Sequence, residues 1–312
     1  MKKTASILAL LAASVSAWPA EPLAAQSTDE RRYLSSDFDG PGQGPGAGIW
    51  SRADFDATWQ AVRSVPEAIS VAAEATTIDY EFLLAQAYLE SAMNPGARAR
   101  TSSATGLFQF INSTWIRTVG RHGARFGLDD WAELIAASSH GNIGLADARL
   151  QRQLLDLRKD PLIASIMAAG LAEDNREALV PVLRREPTYT ELYLAHFLGA
   201  GAATRFVRLM QHHPGVSAAA QFPRAARANR AIFYERGGEA RSIAGVKTLF
   251  DRKIDGALRQ VRHHVEARPY RLASVSMASR ISRQQTPTQA RAYLSVDEDV
   301  YAAPGQFAQG SR

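Results

Sequence analysis

The chain contains no cysteine. That excludes disulfides, thiolate metal sites, a cysteine nucleophile and a lipid-modified N-terminal cysteine. Long apolar runs are also missing. The one near the N-terminus, Ala5 to Val15, is too short to span a bilayer, and no later run suffices. Sustained alternation of β-branched residues is not found, so no sheet is expected. Acids are absent over a whole stretch: between Ser91 and Leu128 there is no Asp or Glu. The histidines His122, His140, His212-His213 and His263-His264 lack the spacing of a zinc site with an acid partner. No phosphate-cradling glycine loop opens a helix. Neither a metal nor a cofactor is therefore expected.

What is present is ordinary globular material at both scales. Of 312 residues, 46% are hydrophobic and 21% charged, enough for a sizeable core. Lys2 and Lys3 precede the short apolar run and small residues follow it, the pattern of a secretory signal peptide over residues 1–25. Cleavage after Ala17 or near Ala25 is expected, and with it export to the periplasm as a protein that is not a lipoprotein. Loss of Lys2 and Lys3 lowers the formal charge from +5 to +3, a mild basic bias that suits an anionic polymer. Arginines after Arg268 lack interleaved aromatics, so nucleic acid is not an expected partner. No membrane span is expected either.

Residues 26–48 are polar and then Gly/Pro-rich (DGPGQGPGAG), which reads as a flexible leader. The folded domain is expected over 49–268, and the Ser, Arg, Gln and Ala-rich stretch 269–312 reads as a disordered tail. Inside the domain Trp59, Val62, Ile69 and Val71 suggest a first helix, kinked at Pro66. Asp79 is placed to cap a helix from Tyr80 to Ser91, ended by Asn94-Pro95-Gly96. Further helices are expected over 113–121, 129–137, 145–158, 162–174, 175–183, 188–198 and 204–212. Weak helical periodicity continues over 242–268. The fold class is all-α.

Glu90 is the acid that closes the apolar helix before the acid-free stretch. It lies at i+7 from Leu83 and i+3 from Ala87, on the face those residues bury. Desolvation penalises a charged carboxylate, so such a residue suits a general acid. A partly exposed helix-end glutamate, or one paired with arginine, would look the same in sequence. Glycosidases usually flank the scissile bond with two carboxylates. Here the local sequence offers one, though Asp129, Asp130 or Glu191 could fold towards it.

The ordered boxes around Glu90 narrow the choice. Glu90-Ser91, Asn94-Pro95 and Gly106-Leu107-Phe108-Gln109 resemble the catalytic core of soluble lytic transglycosylases, the lysozyme-like enzymes of glycoside hydrolase family 23. The resemblance runs from about Trp59 to Tyr234. It implies a lysozyme-like helical domain acting on peptidoglycan strands, with Glu90 as the only catalytic carboxylate. In that scheme Glu90 protonates the oxygen between N-acetylmuramic acid and N-acetylglucosamine, then takes the proton of the muramic C6 hydroxyl as a 1,6-anhydro ring closes. Gln109 corresponds to the family's substrate-binding glutamine. Phe108 stands where the family usually has Met and is a cleft-wall or core candidate. One hydroxyl among Thr101, Ser102 and Ser103 should meet the sugar, and Ser102 is the candidate contact among them.

The last family box, Ala-Tyr-Asn-Ala-Gly, is altered here to Ala195-His196-Phe197-Leu198-Gly199. By the resemblance His196 takes the place of the tyrosine near the catalytic glutamate, and it is expected to be neutral. Ala228 to Tyr234 resembles the segment that closes the far side of the cleft, which makes Tyr234 a candidate saccharide contact. Two alternatives stay open: a hydrolase of the same fold, and a non-catalytic module that binds peptidoglycan or scaffolds an assembly.

Overall fold

A computed structural model describes residues 50, 52–138 and 147–267. The expectations for the signal peptide, the leader and the tail lie outside these residues. Among the described residues every regular element is helical, and β pairing is confined to isolated bridges. No described helix is long and apolar enough to cross a membrane.

The first expected helix is in fact two, α1 (Arg52–Ala61) and α2 (Val65–Glu74). The reason is a fresh N-terminus before Pro66 rather than a kink. Ser64 takes an extended backbone and its side chain accepts from the Glu67 N–H. Pro66 then sits in the first turn, where a missing N–H breaks no intrahelical bond. Trp59 on α1 is half exposed, and its Nε1 donates to Asp160 Oδ2 at 2.6 Å.

Helix α3 (Tyr80–Ser91) begins at Asp79, but that side chain makes no capping bond. It accepts instead from the Tyr189 hydroxyl at 2.9 Å. The helix is ended by Ala92 and Met93, both left-handed with φ of 51° and 65°, one step before the expected Asn94-Pro95-Gly96 stop. Next come α4 (Asn112–His122), α5 (Asp129–Ala137) and α6 (Ala148–Asp156), the last capped by Asp147 and followed by a 3-10 turn at Leu157–Lys159.

Residues 162–174 and 175–183 form one helix rather than two, α7 (Pro161–Leu183). Asp160 caps it by accepting from the Leu162 and Ile163 amides, and it runs through Pro181 in its last turn. Its residues from Leu162 to Glu173 are all buried, as expected of a helix enclosed on every side. Asn175, where the second expected helix was to begin, is buried within it.

Helix α8 (Tyr189–Leu198) opens with a capping box in which Thr188 and Glu191 satisfy each other's backbone N–H. Gly199, at φ 87° and ψ 155°, turns the chain directly into α9 (Ala200–His212), so α9 starts earlier than periodicity suggests. Three short helices follow that the sequence did not announce, α10 (Ala218–Gln221), α11 (Pro223–Ala228) and α12 (Arg230–Phe233). The long α13 (Ile243–Glu266) is capped by Ser242.

Packing explains why α3 is held so firmly. Helix α13 lies along it, α2 packs on α7, and α9 packs on both α7 and α8. Leu83, Leu84, Phe82 and Ala87 of α3 are all fully enclosed. Each large apolar side chain so buried contributes about 1.5 to 3 kcal/mol. Glu90 is therefore carried on a helix anchored on several sides.

Candidate active site

Glu90 occupies the last turn of α3 and is only 6% exposed. Its Oε1 accepts a hydrogen bond from the Tyr193 hydroxyl at 2.9 Å. His196, one turn further along α8, brings Nε2 to 3.4 Å from the same oxygen. The two rings stack, with centroids 5.9 Å apart and planes 15° from parallel. Tyr193 is wholly buried, and burial, with the adjacent Glu90 carboxylate next, pushes its hydroxyl well above the usual phenol range. It therefore keeps its proton and donates.

The other buried carboxylates are differently held. Glu191 accepts from both terminal nitrogens of Arg185 at 2.8 Å each, and from the Thr188 amide. Glu173 is bound by Arg125 and by the Thr77 amide and hydroxyl. Asp174 pairs with Arg121 and His122. Guanidinium-bound acids of this kind brace helices. At Glu90 a phenol and an imidazole stand where those acids have arginine. Asp129 and Asp130 lie in the first turn of α5, where acids favour the helix dipole.

Immediately after Glu90 the chain enters the loop that carries the glycine box. Ser91 joins the two: its Oγ donates to the Leu107 carbonyl at 2.8 Å. Residues 97–110 are stapled by the bridges Arg98 to Thr105 and Thr105 to Phe110. Arg158, buried and outside every family box, holds this loop from behind. Its Nη1 donates to the carbonyls of Ser103 and Phe110 at 2.8 and 2.9 Å, and its Nε to Leu155 at 2.8 Å. Burial, then repulsion from Arg98, pushes its guanidinium down to about 10, still cationic at neutral pH.

Gly106 is required twice over. Its φ is +87°, and a Cβ there would stand 1.9 Å from the Arg158 carbonyl oxygen. Gln109 follows in the left-handed region too, at φ 49°. Among the described residues, the non-glycine positive-φ positions Ala92, Met93 and Gln109 follow Glu90-Ser91 or end the glycine box, and only Arg184 lies elsewhere. Such conformations cost about 1 to 3 kcal/mol each and persist where surrounding structure imposes them, often at functional sites.

The remaining expected contacts divide. The Gln109 side-chain nitrogen donates to the carbonyls of Gly106 and Ala97, at 2.7 and 3.2 Å, so that end of the amide is committed to the loop. Phe108 is fully enclosed in the core, which makes it a packing residue and not an exposed sugar contact. Ser102 is half-buried, with Oγ accepting from the Ala104 amide at 3.3 Å, and Ser103 accepts from the first amide of α4. Tyr234 is half-buried beneath the Arg230 guanidinium, 4.5 Å from its ring centre.

Sequence reasoning missed Tyr193. His196 was expected in the tyrosine's place, yet a tyrosine one turn earlier makes the closer contact. The signal available was the i, i+3 spacing of Tyr193 and His196, which puts both on one helix face. Arg158 was also missed, because nothing in its local sequence announces a loop brace. A separate cavity of about 150 Å³, lined in part by Leu183, Phe206, Val207 and Met210, includes none of Glu90, Tyr193 and His196.

The family match falls on the first half of this geometry. Residues 67–133 match the family model of the transglycosylase SLT domain. The span includes Glu90, Ser91 and the glycine box, while Tyr193, His196 and Arg158 come from beyond it. The matched segment is thus similar to the transglycosylase SLT domain, which is consistent with a lysozyme-like soluble lytic transglycosylase and supports a peptidoglycan-acting function of the lytic transglycosylase type.

Proposed function

We propose that this protein cleaves the β-1,4 bond between N-acetylmuramic acid and N-acetylglucosamine and leaves a 1,6-anhydromuramic end. The observation that carries this reading is the setting of Glu90. It is a buried carboxylate held on one oxygen by a protonated phenol, next to a strained loop, while Glu173 and Glu191 are bound by arginine. With Oε1 engaged by Tyr193, Oε2 is the oxygen that carries the proton to substrate.

The steps follow from that single acid. Glu90 gives its proton to the glycosidic oxygen as the bond to C1 breaks. The carboxylate so formed then accepts the C6 hydroxyl proton as that oxygen closes onto C1. No water enters and no second carboxylate is required. His196 limits the orientation of Glu90 on the same oxygen, and Tyr234 and Ser102 are the saccharide contacts we propose. Action on peptidoglycan agrees with export to the periplasm, which the N-terminal sequence suggests.

Mass spectrometry of peptidoglycan digested by the purified protein tests the reaction. Non-reducing products one water lighter than the hydrolysis products are expected. Ordinary reducing ends throughout would make the protein a hydrolase of the same fold. Glu90→Gln is expected to abolish turnover with little change in melting temperature. A mutant as active as the parent would remove Glu90 from the mechanism, and inactivity of both proteins would favour a binding module.

A further inference from the structure

Trp59 belongs to none of the boxes around Glu90 and lies before the matched segment. Among the described residues the exposed large apolar side chains are Trp59 and Leu134, and Trp59 is 50% exposed. A single apolar residue at a surface is ordinary. What sets Trp59 apart is how firmly its ring is held. Its Nε1, the only polar atom of the indole, donates to Asp160 Oδ2 at 2.6 Å. Asp160 is itself fixed, because its Oδ1 accepts from the amides of Leu162 and Ile163 at 2.9 Å each. One turn back on α1, Phe55 is buried against Trp50, whose ring meets Phe126 edge-on at 6.0 Å. The indole donor is thus spent inside the protein while ring surface stays in water.

We propose that Trp59 is a glycan-binding platform outside the Glu90 site, on which an N-acetylhexosamine ring of a peptidoglycan strand stacks. The choice of ligand rests on the peptidoglycan-acting function proposed above. A pyranose has an apolar C–H face with hydroxyls at its edge, and an indole matches it with a large apolar face. A ring already immobilised loses little side-chain freedom when a ligand settles on it. Gln60 beside Trp59 and Lys159 beside Asp160 are both exposed. They supply amide and ammonium donors for sugar hydroxyls and stem-peptide carboxylates.

The platform is continuous with the loop that follows Glu90. Asp160 directly follows the 157–159 turn, and Arg158 in that turn donates to the carbonyls of Ser103 and Phe110. Two residues of chain span at most about 7 Å. The carboxylate that fixes Trp59 and the guanidinium that holds the glycine-box loop therefore belong to one turn. A strand held at Trp59 presents its other linkages to Glu90 at a raised effective concentration.

Binding is read with the Glu90→Gln protein, so that the glycan stays uncut. In proton–nitrogen NMR spectra the Trp59 indole resonance, assigned as the one lost in Trp59→Phe, should shift on titration with a β-1,4-linked N-acetylglucosamine tetramer. Trp59→Ala in the same background should weaken that binding, and pelleting with insoluble peptidoglycan, by about tenfold, the order expected for one aromatic contact. A Trp59 resonance that stays in place throughout the titration, or undiminished pelleting by Trp59→Ala, overturns the inference and leaves action on peptidoglycan standing. A lower melting temperature with unchanged binding would show that Trp59 only pins α1 to α7, and overturns it equally. If Trp59→Ala does not fold, the resonance of the intact ring decides alone. If neither protein pellets with peptidoglycan, the function proposed above fails and this platform with it.

Discussion

The Tyr193 hydroxyl donates to Oε1 of Glu90 at 2.9 Å, from a residue 103 positions further along the chain. Both partners are buried, and the phenol is held protonated by its burial and by the carboxylate it faces. The acid is thereby oriented by a donor that cannot itself compete for the proton. His196, stacked on Tyr193, closes the same side of Glu90.

Tyr193→Phe should keep the packing against Phe250 and lose the donor. A hydrogen bond to a charged acceptor stabilises by about 1.5 to 3 kcal/mol, so the expected loss in kcat is on the order of tenfold to a hundredfold. Because the donor favours the carboxylate, the alkaline limb of the pH–rate profile should move up. A variant with parental kcat and an unmoved limb would show that Tyr193 only packs.

Gly106→Ala should be among the most damaging single-methyl changes available. The added carbon would meet the Arg158 carbonyl at 1.9 Å in a left-handed backbone. Backbone displacement there should cost more than about 2 kcal/mol, read from the urea midpoint. An unaltered midpoint would mean the loop relaxes freely, against the bracing by Arg158.

Ala92→Gly should run the other way and stabilise. Ala92 is a left-handed helix stop with φ 51°, the position where glycine avoids a Cβ penalty. A gain of about 0.5 to 1 kcal/mol is expected, measurable as a rise in melting temperature. A decrease would indicate that the methyl contributes packing that outweighs the strain.

Glu191 makes stability depend on acid pH. Burial pushes its carboxyl up, but Arg185 and Thr188 more than offset this, and the net position lies below the ordinary value of 4.5. A folded-state value below the unfolded one means the acid stabilises above about 4.5 and loses that contribution as pH falls through the folded value. Glu191→Gln should therefore lower the melting temperature at pH 7 and converge with the parent once the pH has fallen below the folded-state value. A gap independent of pH would point to a packing effect.

Local chemistry was legible where it acts over one or two turns. The span of α5 is the one read from periodicity. Glu90 at the end of an apolar face was also visible, since helical spacing is short-range. The break between α1 and α2 was misplaced because Pro66 marks a helix start as readily as a kink. The continuity of α7 through Asn175 was hidden because burial, not propensity, holds that residue in the helix.

The all-α class, the boxes and the acid on α3 were written in the order of the residues. Their periodicities and steric requirements hold whatever packs around them. Which groups surround that acid was decided only by the fold. Tyr193, His196 and the Arg158 brace reach Glu90 or its loop through the seating of α8 against α3 and of the 157–159 turn behind the loop. Contacts across so much chain depend on how helices seat against one another, which no local pattern records.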